Sequence, residues 1–245
     1  MHRLFAAAIL ATVAATTAIA VPAAAQTRPA AAQTRPAEDT KRDSARKPAD
    51  MVKFANIKPG SNVADFIPGG GYFTRVFSIA VGPAGTVTAI IPAAAETRDA
   101  KSAAAVRDLP AQGFTNVKVV VSPLDPSLAG KLDVLFTAQN YHDLHNSLPP
   151  EGVAGFNKAV FAALKPGGFY VIIDHAALPG SGLTATKELH RIDAETVRAE
   201  VVAAGFVLDG ESTVLANPQD SHDKIVFDPS IRGFTDQFAL RFKKP

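Results

Sequence analysis

The sequence predicts an α/β fold with a doubly wound sheet of seven strands, mostly parallel with an antiparallel C-terminal strand. Two observations lead to this prediction. Apolar β-branched stretches alternate with helical patterns five times, and the chain then ends in two strand-like stretches with no helix between them. Alternating strands and helices form parallel strands joined by right-handed crossovers, with helices on both faces. The last two strands have to pair antiparallel at the sheet edge.

The strand predictions rest on short runs rich in valine, isoleucine and aromatic residues. The alternating strands are predicted at 61–67, 85–91, 117–123, 132–138 and 169–174, and the two final strands at 206–213 and 236–244.

The helix predictions rest on apolar residues that recur at i, i+3, i+4 and i+7. Phe73, Val76, Phe77 and Ala80 form one such face, and this helix stops at Gly82. Glycine and proline also end the later helical patterns. Three more helices are predicted at 94–108, at 153–164 and between Asp193 and Gly205.

The first 47 residues are predicted to lie outside the folded domain. Residues 1–25 have the basic start, apolar centre and small-residue end of a secretory signal, with an uncleaved membrane anchor as the alternative. Residues 26–47, rich in proline, alanine and charge, are predicted to be a disordered linker because they bury too little apolar surface to offset their ordering entropy. The domain is therefore expected to span 48–245, in a periplasmic or secreted protein without a stable membrane anchor after signal cleavage.

Charge and composition exclude several classes of function. The chain has 25 basic and 23 acidic residues, but residues 54–245 contain 17 basic and 19 acidic ones. The domain is therefore not an evident nucleic-acid binder. Because the chain contains no cysteine, disulfides, thiolate zinc sites and cysteine nucleophiles are excluded.

The turn after the first predicted strand is the main candidate binding site. Asp65 closes the strand, and three consecutive glycines begin four positions later, at Gly69. Ligands of open α/β sheets lie beyond the carboxyl ends of the strands, where glycine admits close approach and a helix N-terminus offers free N–H groups. The alternative is a tight strand-to-helix corner capped by Asp65. The glycine spacing differs from the GxGxxG pattern of dehydrogenases.

Three stretches resemble class I S-adenosylmethionine-dependent methyltransferases: VADFIPGGGYFTRVFSIAVGPAGTVTAII, LDVLFTAQNYHDLHN and ALKPGGFYVIIDH. More narrowly, the chain is similar to a group of exported bacterial proteins with a Pro-Gly-Gly-Gly-aromatic turn and a C-terminal Asp-x-Phe-x-Leu-x-Phe strand. The resemblance implies a Rossmann-like sheet, S-adenosylmethionine as cofactor and methyl transfer to a small-molecule acceptor.

The resemblance also implies a set of cofactor contacts. The matched positions are Asp65, Gly69, Gly70, Gly71, Asp125 and Asn140. Asp125 has a second interpretation as a turn residue between prolines. The chain departs from the family pattern at Ile67, where a glycine is usual, and at Ile91, where an acidic residue usually binds the ribose; Glu96 is the only nearby substitute.

A cluster of polar residues is predicted to form the catalytic side of the cleft. Tyr141, His142 and Asp143 follow the fourth strand, and Asp174 and His175 end the fifth. Parallel strands end side by side, so these residues are expected at one cleft. His142 is the candidate general base, Asp143 orients it or acts itself, and Tyr141 and His175 complete the catalytic set.

Each of these histidines also has a structural interpretation, as part of a solvated helical turn or a strand end. His142, His145 and His175 are residue types that bind metals, but no metalloenzyme spacing is present, so no metal site is predicted.

Three functions stay open at this level. The first is a methyltransferase that aligns its acceptor for in-line transfer. The second is a binding protein that has kept the fold without catalysis, which export, Ile67 and Ile91 favour. The third and least favoured is a metal-dependent enzyme that uses the histidines. The loop at 214–235 is predicted to be a lid, a binding loop or a mobile excursion. Within it, Arg232 is a candidate clamp for a carboxylate or phosphate, or else a partner of surface acids.

Overall fold

The computed structural model describes residues 33–122 and 124–245. The predicted signal at 1–25 and the first part of the predicted linker, 26–32, lie outside the described residues. Within the described ranges, no helix is long and apolar enough to cross a membrane.

A seven-stranded sheet forms the centre of the molecule. Its strands are β1 (Asn62–Phe66), β2 (Thr86–Ile91), β3 (Val117–Val121), β4 (Leu132–Ala138), β5 (Leu164–His175), β6 (Val207–Ser212) and β7 (Gln237–Lys243). The strand order is β3-β2-β1-β4-β5-β7-β6. β7 runs antiparallel to β5 and β6, while the first five strands are parallel. The predicted fold class is therefore confirmed, and β7 lies inside the sheet with β6 at its edge.

Helices cover both faces of the sheet. They are α1 (Ala37–Thr40), α2 (Asp43–Arg46), α3 (Pro48–Phe54), α4 (Tyr72–Val81), α5 (Ala93–Arg98), α6 (Ala100–Arg107), α7 (Tyr141–Ser147), α8 (Pro150–Ala163) and α9 (Ala194–Ala203). The single helix predicted at 94–108 is divided at Asp99. The carboxylate of Asp99 accepts a hydrogen bond from the backbone N–H of Ser102 at 3.0 Å and caps α6.

Two apolar cores lie on opposite faces of the sheet. On one face, Phe73 and Phe77 of α4 pack against Phe136 of β4, each with a ring-centroid distance of 4.8 Å. On the other face, α8 and α9 pack against the sheet through buried side chains that include Val160 and Val197. The chain changes direction across the sheet between β1 and β4, so the carboxyl ends of these two strands form the switch point at which ligands bind in such folds.

Residues 33–47 correct the prediction of a disordered linker, since they form α1 and α2 and pack on α4. Asp39 is 2% exposed, and its carboxylate accepts two hydrogen bonds from Arg75 at 2.6 and 2.9 Å. The hydroxyl of Tyr72 donates to Asp43 at 2.6 Å. The prediction failed because it counted apolar surface only, whereas paired charges hold this segment in place.

The loop between β6 and β7 is pinned by a buried arginine. Arg191 donates to both carboxylate oxygens of Asp220 at 2.8 and 3.0 Å, and to the carbonyls of Ala176 and Lys224 at 3.0 Å. A buried, bidentate pair in which all three guanidinium nitrogens donate hydrogen bonds fixes the base of the loop. The loop therefore contributes side chains to the cleft from a held position.

Candidate functional site

The glycine turn has the backbone geometry of a ligand-binding loop. Ile67, Gly69 and Gly71 have positive φ angles of 55°, 53° and 81°. A Cβ atom on Gly71 would lie 3.1 Å from the side chain of Arg75 and 3.2 Å from that of Leu109, so both the positive φ and the tight space favour glycine there. Ile67, at the position where the resemblance leads one to expect glycine, also has a left-handed conformation, and this conformation costs an isoleucine strain energy. The turn therefore holds a residue with a side chain in a conformation that favours glycine.

Asn140 joins this turn to the end of β4. Its side-chain amide donates to the carbonyls of Ile67 at 3.0 Å and Ala138 at 2.6 Å. Asn140 also lines the cavities on both sides of the turn. It holds the strained backbone of Ile67 in place and remains available to a ligand.

Asp65 lies almost wholly buried at the end of β1, with 3% of its surface exposed. Its carboxylate accepts a hydrogen bond from the hydroxyl of Thr74 at 2.6 Å. Burial raises the pKa of Asp65 to about 6, against the opposing effects of Thr74 and Arg46. Asp65 thus fixes the first turn of α4 and also presents an incompletely neutralised carboxylate to a cavity.

Three cavities lie along the carboxyl edge of the sheet. The β2-side cavity of about 170 Å³ lies between the turn and α5–α6, and the Asp65 cavity of about 170 Å³ lies on the other side of the turn. The β5-side cavity of about 320 Å³ shares Arg46 and Gln139 with the Asp65 cavity. A further cavity of about 570 Å³ lies between α2 and the β6–β7 loop, away from Asp65 and the glycines.

Arg46 of α2 lines both the Asp65 cavity and the β5-side cavity. Its guanidinium donates to the side chain of Gln139 at 3.0 Å and lies over the ring of Tyr72, 4.9 Å from the centroid. Among residues 33–122 and 124–245, no carboxylate lies within ion-pair distance of it. Burial lowers the pKa of Arg46. A largely buried cation with one side-chain hydrogen bond favours an anionic ligand.

Arg46 was not a predicted site residue, because it lies in a segment whose composition predicts a linker. One signal was present in the sequence: Arg42 and Arg46 lie four residues apart, on one face of a short helix, just before the domain.

The acidic residue beside the β2-side cavity is Asp99, not Glu96. Asp99, Ser102 and Ile91 line this cavity. Glu96 forms an ion pair with Arg107 and is not part of the lining. The sequence at the end of β2 did not indicate Asp99, because Asp99 follows α5 and lies eight positions beyond Ile91.

Asp125 lies away from these cavities. Its carboxylate accepts the backbone N–H of Ser127 at 2.8 Å and caps a 3₁₀ turn at Pro126–Leu128. Asp125 thus has the turn role that the sequence left open as the alternative to a cofactor contact.

His142 is held by Asp174. The ring of His142 is 2% exposed, and its Nδ1 lies 2.8 Å from an oxygen of Asp174. The fully buried carboxylate of Asp174 also accepts the backbone N–H groups of His142 and His175, both at 2.8 Å. Burial alone would lower the pKa of His142, but the charge and hydrogen bond of Asp174 raise it. The residue that orients His142 is therefore Asp174.

Asp143 and His190 face the other ring nitrogen of His142. His142 Nε2 lies 3.2 Å from His190 Nδ1 and 3.6 Å from a carboxylate oxygen of Asp143. His190 comes from the segment before α9 and was not a predicted site residue. The fold thus places three side chains around one point.

Tyr141 corrects the predicted catalytic set. It is wholly buried in the core under α8 and α9, where its hydroxyl donates to Glu200 and accepts from Asn157, both at 2.8 Å. Burial raises the pKa of Tyr141 far above its usual range. Consecutive residues of a helix point about 100° apart, so Tyr141 faces the core while His142 faces Asp174. Tyr141 therefore has no access to the cleft.

His175 lines the β5-side cavity. Its Nδ1 lies 2.8 Å from the hydroxyl of Thr235. Burial lowers the pKa of His175 to about 4, so the ring is neutral at neutral pH. The same cavity is lined by Arg232, whose guanidinium lies 6.0 Å from the ring centroid of Phe227.

Comparison with known proteins identifies the architecture. No family model matches the chain, and no curated protein matches it. A solved S-adenosylmethionine-dependent methyltransferase from Aquifex aeolicus is similar, with 19% identity, a TM-score of 0.59, and coverage of 86% of this chain and 100% of that chain.

Two further similar structures are named for different activities, so the similarity shows the fold and not the reaction. The 1,6-didemethyltoxoflavin-N1-methyltransferase of Burkholderia thailandensis, solved with its substrate and S-adenosylhomocysteine, has 16% identity, a TM-score of 0.56, and coverage of 84% of this chain and 80% of that chain. The [4+2]-cyclase SpnF has 16% identity, a TM-score of 0.57, and coverage of 82% and 80% respectively. The sheet order, the glycine turn and these similarities together establish that the chain has the fold of class I S-adenosylmethionine-dependent methyltransferases.

Proposed function

We propose that this protein is an S-adenosylmethionine-dependent methyltransferase that acts on a small-molecule acceptor in the periplasm. The observation that carries the proposal is that one carboxylate, Asp65, and one cation, Arg46, line the same cavity beside the glycine turn. The methionine part of S-adenosylmethionine carries an ammonium and a carboxylate, which these two side chains match in charge. Neither charge is fully satisfied within the described protein.

The residues around the turn fit the cofactor. Asp65 would hold the ammonium, and Arg46 the carboxylate. Gly69 has open space where a Cβ would point, which allows the ligand to approach the backbone. On the other side of the turn, Ile67 and Ile91 offer apolar walls for an adenosine group. Asp99 offers a carboxylate for hydroxyl groups.

The bound cofactor supplies an electrophilic methyl group. The residues of this chain would supply alignment, which is the main contribution to such a transfer. Arg46 and Arg232 line the β5-side cavity and favour an acceptor that carries a negative charge. When His175 donates through Nδ1 to Thr235, its Nε2 is left as an acceptor for a hydrogen bond from that molecule.

Calorimetric titration tests the cofactor site. The full chain is titrated with S-adenosylhomocysteine and S-adenosylmethionine, beside the variants Asp65→Asn and Arg46→Gln. We expect micromolar binding, about −8 kcal/mol, weakened at least tenfold by each variant. Asp209→Asn is the matched control, because Asp209 of β6 pairs with Arg241 of β7, remote from the turn. Absence of binding by folded wild-type protein would overturn the proposal.

The second candidate is a binding protein or non-methylating enzyme on the same fold. Ile91 in place of the usual ribose-binding acid favours it, and the similarity to a [4+2]-cyclase is a precedent for other chemistry on this architecture. Formation of S-adenosylhomocysteine during incubation with candidate anionic acceptors separates the two. Tight cofactor binding without turnover across the panel would favour the second candidate.

The proposed location rests on the sequence of residues 1–25 alone. Fractionation of the cells that make the protein, followed by N-terminal sequencing, tests it. A mature N-terminus at Gln26 in the periplasmic fraction is the expected result, and an intact Met1 in the cytoplasm would contradict it.

A further inference from the structure

Three potential metal ligands converge at the carboxyl edge of the sheet. They are His142 Nε2, His190 Nδ1 and a carboxylate oxygen of Asp143. The two nitrogens lie 3.2 Å apart, and the oxygen lies 3.6 Å from His142 Nε2 and 3.8 Å from His190 Nδ1. Among the residues that the structure describes, this is the one cluster of histidines and carboxylates close enough to share an ion.

The separations match a particular metal geometry. An ion equidistant from the three atoms lies at least about 2.1 Å from each, which is close to the length of a Zn–N or Zn–O bond. With such bonds, ligand atoms lie about 3.4 Å apart in a tetrahedron and about 3.0 Å apart in an octahedron. The observed separations average about 3.5 Å, which is nearer to the tetrahedral than to the octahedral value and favours zinc over magnesium.

A buried carboxylate fixes the orientation of the first ligand. Asp174 accepts the Nδ1 proton of His142, so Nε2 carries the free lone pair that points to the cluster. Histidines that bind metals donate their second ring N–H to a carboxylate in this way. The arrangement is therefore that of a prepared ligand with its supporting residue.

The second histidine is held in a strained conformation. His190 has a φ of 55°, which is uncommon for a residue with a side chain, and its neighbour Arg191 is anchored by the buried pair with Asp220. Strain of this kind persists where the surrounding structure enforces it, and it is concentrated at functional sites. Its effect here is to direct the ring of His190 toward His142.

The cluster is open to solvent on one side. The side chains of His190 and Asp143 are 29% and 21% exposed, so an ion has a path to them. Arg98 lies 3.7 Å from the other oxygen of Asp143, which leaves the cluster-facing oxygen free of that cation. The ring of His190 also contacts Phe227, a wall of the β5-side cavity, at a centroid distance of 4.9 Å.

We propose that His142, Asp143 and His190 form a zinc site whose fourth position is open to water or to an oxygen atom of a bound molecule. Three protein ligands with one open position are typical of catalytic rather than structural zinc. The site does not depend on the proposed methyltransferase function. The sequence did not predict it because the ligands have no characteristic spacing and the third comes from a segment 47 positions away.

Metal titration of the full chain tests this site. The protein is stripped with a chelator and titrated with Zn²⁺ by calorimetry, and with Co²⁺ by visible absorption. We expect one ion per chain and the intense absorption of tetrahedral cobalt. His190→Gln should weaken binding at least 100-fold, and Asp174→Asn, which removes the support of His142, about 10- to 100-fold.

His222→Gln is the matched control, because this histidine pairs with Asp236 in the β6–β7 loop and is not a ligand. Its affinity for Zn²⁺ should equal that of the wild type. Binding that survives in His190→Gln, or that is lost equally in both histidine variants, would overturn the proposal. S-adenosylhomocysteine binding, measured on the same samples, reports on the Asp65 cavity separately, so failure of one proposal is distinguishable from failure of the other.

Discussion

The substitution Asp39→Asn should release α1 and α2 from the rest of the domain. Asp39 is buried, and Arg75 donates two short hydrogen bonds to its carboxylate. Arg42 donates a third at 2.9 Å. Burial alone would raise the pKa of Asp39, but the arginines outweigh it and lower the pKa. The carboxylate is thus the common counter-ion of this segment.

The magnitude follows from the burial of the pair. Removing one partner of a buried ion pair costs about 3–5 kcal/mol, because the other charge is left unpaired. When residues 33–47 undock, Arg75 returns to water and the cost of its unpaired charge disappears. The substitution therefore lowers the free energy of docking of this segment by that amount. At 1.4 kcal/mol per factor of ten, the undocked population should rise by about two to three and a half orders of magnitude.

Limited trypsin digestion measures this population. Lys41, Arg42 and Arg46 are cleavage sites that docking protects, whereas Lys47 precedes Pro48 and is not cut; the cleavage rate follows the open fraction when reclosing is fast. Asp209→Asn, which removes a partly exposed ion pair with Arg241, should leave the rate within a factor of a few of the wild type. Affinity for S-adenosylhomocysteine should fall with Asp39→Asn, since the segment carries Arg46. An unchanged cleavage rate would refute the docking argument.

Three further predictions concern single residues. Affinity for S-adenosylhomocysteine should fall as pH drops through about 6, because Asp65, with its raised pKa, protonates there and loses the charge that binds the ammonium. Titrations at pH 5 and 7.5 check this. Asp65→Asn should flatten the pH dependence. The same pKa shift makes protonated Asp65 the better tolerated form in the fold, so its contribution to stability is present below pH 3.8 and is lost as pH rises through 6. Asp99→Asn keeps the cap of α6, so the free energy of unfolding in urea should be unchanged. Loss of a charged hydrogen bond should weaken the binding of adenosine-containing ligands by about 1 kcal/mol, or 5- to 10-fold. Equal affinity would show that Asp99 is not part of the site. Tyr141→Phe should cost about 1–3 kcal/mol of unfolding free energy, since Glu200 and Asn157 lose a buried partner, with ligand affinity unchanged; weaker ligand binding would return Tyr141 to the cleft.

The sequence by itself determined the fold and indicated one turn as the candidate site. The alternation of apolar strands with helical patterns required a doubly wound sheet, because each element could bury its apolar face in no other way. Asp65 and the three glycines are local features of one turn, so a pattern of nine consecutive residues was enough to place them. The same holds for Asn140 and His175, which directly follow or end a strand.

Only the tertiary structure decided which side chains act together. Arg46 reaches the cavity because the Asp39–Arg75 pair docks a segment whose composition is that of a linker. Tyr141 and His142 are adjacent in sequence, yet helix geometry sends one to the core and the other to Asp174. His190 meets His142 through a strained backbone that a buried arginine holds. Charge pairing and side-chain direction act across distant parts of the chain, and a pattern of neighbouring residues does not contain them.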